Sequence, residues 1–139
     1  RGYWKNEKET KKVLTSDGWF KTGDLGFMRS DGYFKIVDRK KDMIIVSGFN
    51  VYPSEIEEVA MMNEKISEAG CIGEMDNSGS EIVKLFVSLK SGQNISKEEI
   101  IEHCRKNLTA YKVPKSLEIV DEIPKSNVGK ILRRKLREM

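Results

Sequence analysis

Short apolar runs alternate with turn residues over the first 41 positions, a pattern typical of β structure. Asp17-Gly18 and Asp31-Gly32 are turn dipeptides, and the apolar stretches around them predict strands at 19–21, 25–28 and 33–37 after a short polar helix. Such short strands are only marginally stable without a larger sheet beside them. We therefore interpret residues 1–41 as the edge of a larger body.

From residue 42 onwards the apolar spacing changes and predicts a hairpin and two longer helices. Runs at 43–46 and 51–52 flank Ser47-Gly48-Phe49-Asn50 and indicate the hairpin. In a capping box, a Ser is followed three residues later by a Glu, and this pattern predicts helix starts at Ser54 and Ser96.

Three further strands are expected, at 66–72, 82–89 and 117–120. The first two pair antiparallel through the turn Asp76-Asn77-Ser78-Gly79. A polar loop at 124–130 and a basic helix at 131–138 complete the pattern. The sum predicts an α+β fold: a small sheet, made of a three-stranded core plus a hairpin, with flanking helices, preceded by the β-rich segment 1–41.

The composition is that of an ordinary soluble domain of 139 residues, of which 38% are hydrophobic. The longest apolar run, 43–46, is far shorter than the ~20 residues that span a bilayer, and no apolar signal segment opens the chain. We therefore expect a cytoplasmic protein. Two cysteines and one histidine exclude a Cys/His zinc cage, and no metal site is predicted. Because Arg1 opens an already patterned sequence, we interpret the chain as a fragment.

Charge is distributed unevenly behind a net value of +3. Residues 1–41 carry +5, residues 42–104 carry −8 and residues 105–139 carry +6. Two basic ends would attract phosphate, which favours nucleic acid, nucleotide or coenzyme as partners. The alternative is that these charges are solvated helix faces. The basic tail 125–139 has no aromatic residue, which disfavours binding to single-stranded nucleic acid.

Three charged groups framed by small residues are the candidate chemistry. The carboxylate of Asp24, after Gly23, either accepts hydrogen bonds from a vicinal diol such as ribose or closes an Asx turn. The stretch 38–42 is a ligand site, a hinge or a solvated connector. Lys130 lies in the polar loop, which we expect to be flexible, and its ammonium group could reach a phosphoryl or carboxylate oxygen. Gly129-Lys130 is not a Walker A loop, because the glycine and the Ser or Thr that it requires are missing.

In their order and separation, these groups resemble the late motifs of the adenylate-forming enzyme superfamily, which includes acyl-CoA synthetases, peptide-synthetase adenylation domains and luciferases. The matching strings are DGWFKTGD at 17–24, SGFNVYPSEIE at 47–57, YKVP at 111–114 and the segment 124–134. The strings DRKKDMIIVSGFNVYPSEIE and IPKSNVGKILRRKLRE are most similar to those of bacterial long-chain fatty acid–CoA ligases.

The resemblance implies a two-step ligase, which activates a fatty acid with ATP as an acyl-adenylate and then transfers the acyl group to coenzyme A. By position, it implies that Asp24 and Arg39 hold the ribose and that Lys130 is the adenylation lysine. It also implies that Lys41 is the hinge and that Gly48 lines the pantetheine tunnel, where a missing Cβ lets the substrate pass close to the backbone.

The resemblance further implies that 1–41 is the tail end of a large N-terminal domain and that 42–139 is a mobile C-terminal lid. The ligands of Mg²⁺ and the acyl pocket are expected in the N-terminal domain, so this chain alone is expected to be inactive. The expected partners are ATP, CoA, a long-chain fatty acid and that N-terminal domain. The sequence leaves open a carrier protein as acceptor, a homodimer and peripheral attachment to the inner face of the membrane. A basic nucleic-acid-binding module is the disfavoured alternative.

Overall fold

The first unit is built from one short helix and one β-hairpin. The computed structural model describes residues 2–139, and its contacts divide into two units with the boundary between Lys41 and Asp42. The first unit contains α1 (Glu7–Val13), β1 (Asp24–Met28) and β2 (Phe34–Arg39). The two strands are antiparallel, with an irregularity between Leu25 and Gly26.

The prediction of a strand at 19–21 is wrong. These residues form only an isolated bridge between Leu14 and Phe20. The reason is local, since the N–H of Thr15 donates to the carbonyl of Trp19 and the N–H of Lys21 donates to the carbonyl of Val13. These bonds close a tight turn that leaves no room for a longer ladder.

The second unit contains a three-stranded sheet, a hairpin and three helices. Its elements are β3 (Ile44–Val46), β4 (Phe49–Val51), α2 (Pro53–Met61), β5 (Ile66–Met75), β6 (Glu81–Leu89), α3 (Lys97–Asn107), β7 (Ser116–Ile119) and α4 (Arg133–Leu136). A 3-10 turn at Ala110–Lys112 precedes β7. The predicted α+β class, with its three-stranded core and separate hairpin, is confirmed.

The sheet has the order β5-β6-β7. The predicted antiparallel pairing of β5 with β6 is confirmed, and β7 runs parallel to β6. One face of the sheet packs with β3, β4, α2 and α3 into the main core, which includes Ile56, Leu85 and Ile100. A smaller cluster on Ile72 and Phe86 also takes in Ile123 and Leu136 from the C-terminal segment.

Of the two predicted capping boxes, the second is confirmed and the first is wrong. Ser96 caps α3, and its hydroxyl and the Glu99 carboxylate each accept the other residue's backbone N–H. Helix α2 instead begins at Pro53 with Tyr52 as its N-cap, and the carboxylate of Glu57 accepts hydrogen bonds from other elements. The helix expected at 131–138 is shorter, at Arg133–Leu136.

Candidate functional site

Asp24 and Arg39 lie opposite each other where β1 and β2 pair. The Nε atom of Arg39 is 3.4 Å from Oδ1 of Asp24, and both side chains are partly exposed. The side chain that caps the preceding turn is Thr22, whose hydroxyl accepts a hydrogen bond from the Asp24 N–H at 3.1 Å. The carboxylate and the guanidinium group therefore present acceptors and donors side by side, as recognition of a diol requires.

Lys41 lies in a 3-10 turn at Lys40–Asp42 and is exposed. Its neighbour Asp42 is buried and binds Arg137, with 2.9 Å between Oδ1 and the guanidinium Nη2 atom. The hinge role of Lys41 stays a prediction, because it concerns a motion.

Gly48 occupies a two-residue turn between β3 and β4, which is tighter than the four-residue loop predicted from the sequence. The φ angles are +51° at Ser47 and +84° at Gly48, as a type I′ hairpin turn requires. Among residues 2–139, apart from Gly48 and its two chain neighbours, no atom lies within 4 Å of the position that a Cβ of Gly48 would occupy. Next to this turn, the Phe49 ring stacks on Tyr111 with a centroid distance of 4.7 Å. The structure thus brings the 47–50 and 111–114 motifs together, a contact that the sequence reasoning missed although each motif carries an aromatic residue.

Lys130 lies on a hydrogen-bonded hairpin turn within the polar loop predicted at 124–130, and the flexibility of that loop stays a prediction. The N–H of Gly129 donates to the carbonyl of Ser126 at 2.9 Å, and the N–H of Ser126 donates to the carbonyl of Lys130 at 2.8 Å. Gly129 has a φ of +77°, the left-handed residue of a three-residue hairpin loop with a bulge. The Lys130 side chain is exposed, and no acidic group among residues 2–139 forms an ion pair with it. The exposed ammonium group of Lys130 is therefore carried by a hydrogen-bonded turn of the backbone.

A buried ionic cluster lies behind this hairpin and was not predicted. Arg133, three residues after Lys130, binds both carboxylate oxygens of Glu57 at 2.9 and 2.8 Å through Nη2. Glu57 also accepts the N–H of Cys71 at 2.8 Å, and Asp42 lies 3.9 Å from Arg133. The signal in the sequence was a glutamate between the core residues Ile56 and Ala60, on the apolar side of a helix.

The histidine and the cysteines are structural. Burial raises the pKa of the Cys104 thiol to about 11, which disfavours the nucleophilic thiolate. Cys71 is also buried, and Nε2 of His103 lies 2.8 Å from the carbonyl oxygen of Val59.

Within residues 2–139, no group of three or more His, Cys, Asp or Glu side chains is arranged to hold a metal ion. Over the same residues, no helix combines the length and apolar character needed to cross a membrane.

The second unit therefore combines a sheet covered by two helices, an aromatic contact at the β3–β4 turn and an exposed lysine on a hairpin. The chain belongs to the AMP-binding enzyme C-terminal domain family, whose model matches residues 55–130. It is 55% identical, over 99% of its length, to the long-chain-fatty-acid–CoA ligase of Yersinia pestis. It spans 24% of the length of that relative. The resemblance read from the motifs is thereby confirmed.

Solved structures agree with this assignment. The chain matches ATP-bound MatB from Rhodopseudomonas palustris with a TM-score of 0.92 and 35% identity, covering 99% of this chain and 27% of that one. It matches o-succinylbenzoate CoA synthetase from Bacillus subtilis, in complex with its acyl-adenylate intermediate, with a TM-score of 0.88 and 30% identity, covering 100% of this chain and 28% of the other.

Proposed function

We propose that this chain is the C-terminal portion of an ATP-dependent long-chain fatty acid–CoA ligase. In the first step, a carboxylate oxygen of the fatty acid attacks the α-phosphorus of ATP, the bond to the bridging oxygen breaks and pyrophosphate leaves. In the second step, the thiol of coenzyme A attacks the acyl carbonyl, loses its proton and displaces AMP. The identity to the Yersinia pestis ligase over 99% of the chain supports this substrate class.

The observation that carries the proposal is the hairpin lysine. Negative charge builds up on the carboxylate and α-phosphate oxygens as adenylation proceeds, and a fixed ammonium group stabilises that charge. The backbone of Lys130 is hydrogen-bonded on both sides of the turn, so the point from which its exposed side chain starts is in place before substrate arrives. Preorganisation of this kind lowers the barrier without reorganisation during the reaction.

Asp24 and Arg39 form the second part of the proposed site. A carboxylate accepts hydrogen bonds from both hydroxyls of a ribose, and the neighbouring guanidinium group can donate to the same sugar. These two residues belong to the first unit and Lys130 to the second. We propose that a rotation at Lys41 changes which part of the second unit faces the nucleotide, with Lys130 serving adenylation and the open turn at Gly48 serving thioester formation.

Replacing Lys130 tests the assignment in the full-length protein that carries this chain. We expect Lys130→Ala to lower the rate of palmitoyl-adenylate formation by about 10²- to 10³-fold, the loss typical of a removed charge-stabilising donor. Conversion of supplied palmitoyl-adenylate and CoA to the thioester should stay close to that of the wild type. Lys90→Ala, a change at another exposed lysine, serves as the matched control. Equal loss of both half-reactions in Lys130→Ala would contradict the role given to Lys130.

A carrier protein is the alternative acceptor, because the same motifs serve both kinds of thiol. Comparison of free CoA with a phosphopantetheine-bearing carrier protein, at equal thiol concentration, separates the two. The cytoplasmic location expected from the sequence stays a prediction.

A further inference from the structure

The hairpin that carries Lys130 has two faces with different partners. Lys125 and Ile131 are paired across it, and Ser126 and Lys130 form the next pair towards the turn. Because side chains alternate between the faces of a strand, Lys125 and Ile131 share one face and Lys130 points from the other. The contacts of the first face therefore determine the direction in which the Lys130 side chain leaves the backbone.

The first face is attached to strand β5 at two points. A Cβ placed on Gly70 would lie 3.5 Å from Cγ2 of Ile131 and 2.7 Å from Cδ1 of Leu136, so the side chain of Ile131 lies over this glycine beside that of Leu136. Two residues earlier, on the same face of β5, Glu68 forms an ion pair with the ammonium group of Lys125. The ion pair is thus the contact with β5 on the 125 side of the hairpin, opposite the apolar contact of Ile131.

We propose that Glu68 and Lys125 are positioning residues that aim Lys130 for adenylation. This inference rests on the proposed function of Lys130 and extends it to two residues that do not touch substrate. Both side chains are about one third exposed, at 31% for Glu68 and 33% for Lys125. An ion pair this open to solvent contributes little to global stability, so its removal should leave the fold intact and expose any effect on the aim of Lys130.

Charge reversal separates positioning from folding. In the full-length protein, Lys125→Glu places two carboxylates in contact and should push the base of the hairpin away from β5. We expect the kcat of palmitoyl-adenylate formation to fall about tenfold, because displacement of a reacting group by ~1 Å costs up to ~10²-fold. The KM for ATP, the rate of thioester formation from supplied palmitoyl-adenylate and the melting temperature should stay near the wild-type values.

The decisive experiment is rescue by a double variant in which the two charges are exchanged. Glu68→Lys alone should reproduce the defect, and Glu68→Lys combined with Lys125→Glu should restore most of the adenylation rate, because the ion pair forms again with its charges exchanged. Lys90→Glu is the matched control for reversal at an exposed lysine. Should Lys125→Glu itself lower the melting temperature, the milder Lys125→Met carries the test, with a smaller loss confined to adenylation.

The outcomes distinguish this inference from the function on which it rests. If the wild type makes no palmitoyl-adenylate, or if Lys130→Ala is as fast as the wild type, the proposed function fails. If those two proteins behave as expected but Lys125→Glu equals Lys90→Glu, the positioning role is wrong. It is equally wrong if both half-reactions fall together, or if the swapped pair recovers nothing while remaining folded.

Discussion

The role of a single residue in this chain depends more on its partners in the folded structure than on its residue type. Glu57 has the spacing of a capping residue, yet its carboxylate accepts from Arg133 and from the Cys71 N–H. An acidic side chain among core residues is costly unless charged and polar partners surround it. The spacing in the sequence therefore could not reveal this role, because the partners lie 14 and 76 residues away.

Lys84 is the residue for which pH dependence is expected. It lies on β6 between Glu74 of β5 and Glu118 of β7, with its ammonium group 2.9 and 2.8 Å from their carboxylates. The hydrogen bonds that Lys84 donates to Glu118 and Glu74 outweigh the desolvation and raise the pKa of Lys84 above its usual 10.5. A raised pKa in the folded state favours the charged form, so the stabilisation is complete below pH 10.5 and is lost as pH rises through the higher folded value.

The comparison of wild type with Lys84→Met measures this contribution. We expect the variant to be about 2 kcal/mol less stable at pH 7, because a pair of charge-assisted hydrogen bonds is removed while both carboxylates remain solvated. The difference in the free energy of unfolding, from urea titrations at several pH values, should shrink above pH 10.5. A difference that stays constant through this range would show that the charge of Lys84 makes no contribution.

At the scale of elements, helix α4 is stabilised by its contacts with other elements of the second unit. Four residues are far too few for a helix that is stable alone. Leu136 is fully buried against Ile72 and Phe86, and Arg133 reaches Glu57 of α2. These anchors come from distant parts of the chain, which is why the basic pattern at 131–138 predicted a longer helix than the one that forms.

Neighbouring arginines of α4 provide a matched test of this anchoring. Arg133 is largely buried in the ionic cluster, whereas the side chain of Arg134 is 90% exposed and pairs with Glu138 within the same segment. We expect Arg133→Met to lower the free energy of unfolding by about 3–5 kcal/mol, because Glu57 and Asp42 lose a buried counter-charge. Arg134→Met should change it by less than ~0.5 kcal/mol, as surface pairs do.

Chemical denaturation of both variants, with circular dichroism as the probe, checks this prediction. Equal stability of the two would mean that solvent already screens the Glu57 cluster, and the burial argument would then be wrong.

Elements set by local rules were predictable from the sequence, and those set by distant contacts were not. The box at Ser96 and Glu99 closes within four consecutive residues, and the turn at Asp76 closes through hydrogen bonds within 76–80, so both were predicted. The hairpin turn carrying Lys130 was predicted only as a polar loop, because Lys125 at its base pairs with Glu68 of β5, 57 residues away. In the candidate site, motif positions could be read from the sequence, but the supports of Lys130 could not.

At the scale of the whole molecule, the two units differ in how they bury apolar side chains. In the second unit the core begins at Ile44 and includes buried residues from both faces of the sheet. Among residues 2–41, the only buried side chain is that of Asp38, and large apolar side chains such as Trp4, Trp19 and Phe34 are 73–87% exposed. Burial of apolar surface is the main stabilising contribution to folding, so the first unit has little of its own.

Hydrogen exchange of the 139-residue chain follows from this difference. We expect amides of β1 and β2 to exchange by local opening, at rates far above those of β5 and β6, which open only on global unfolding. Exchange followed by mass spectrometry of peptic peptides measures both regions in one sample, with the β5–β6 peptides as the internal reference. Because a two-stranded sheet such as β1–β2 can take up a strand from a second copy of the chain, protection of these strands should rise with protein concentration. A monomer at low concentration in which 24–39 is as protected as 66–89 would show that the small hairpin is stable without apolar cover, and the interpretation of residues 1–41 as the edge of a larger body would be wrong.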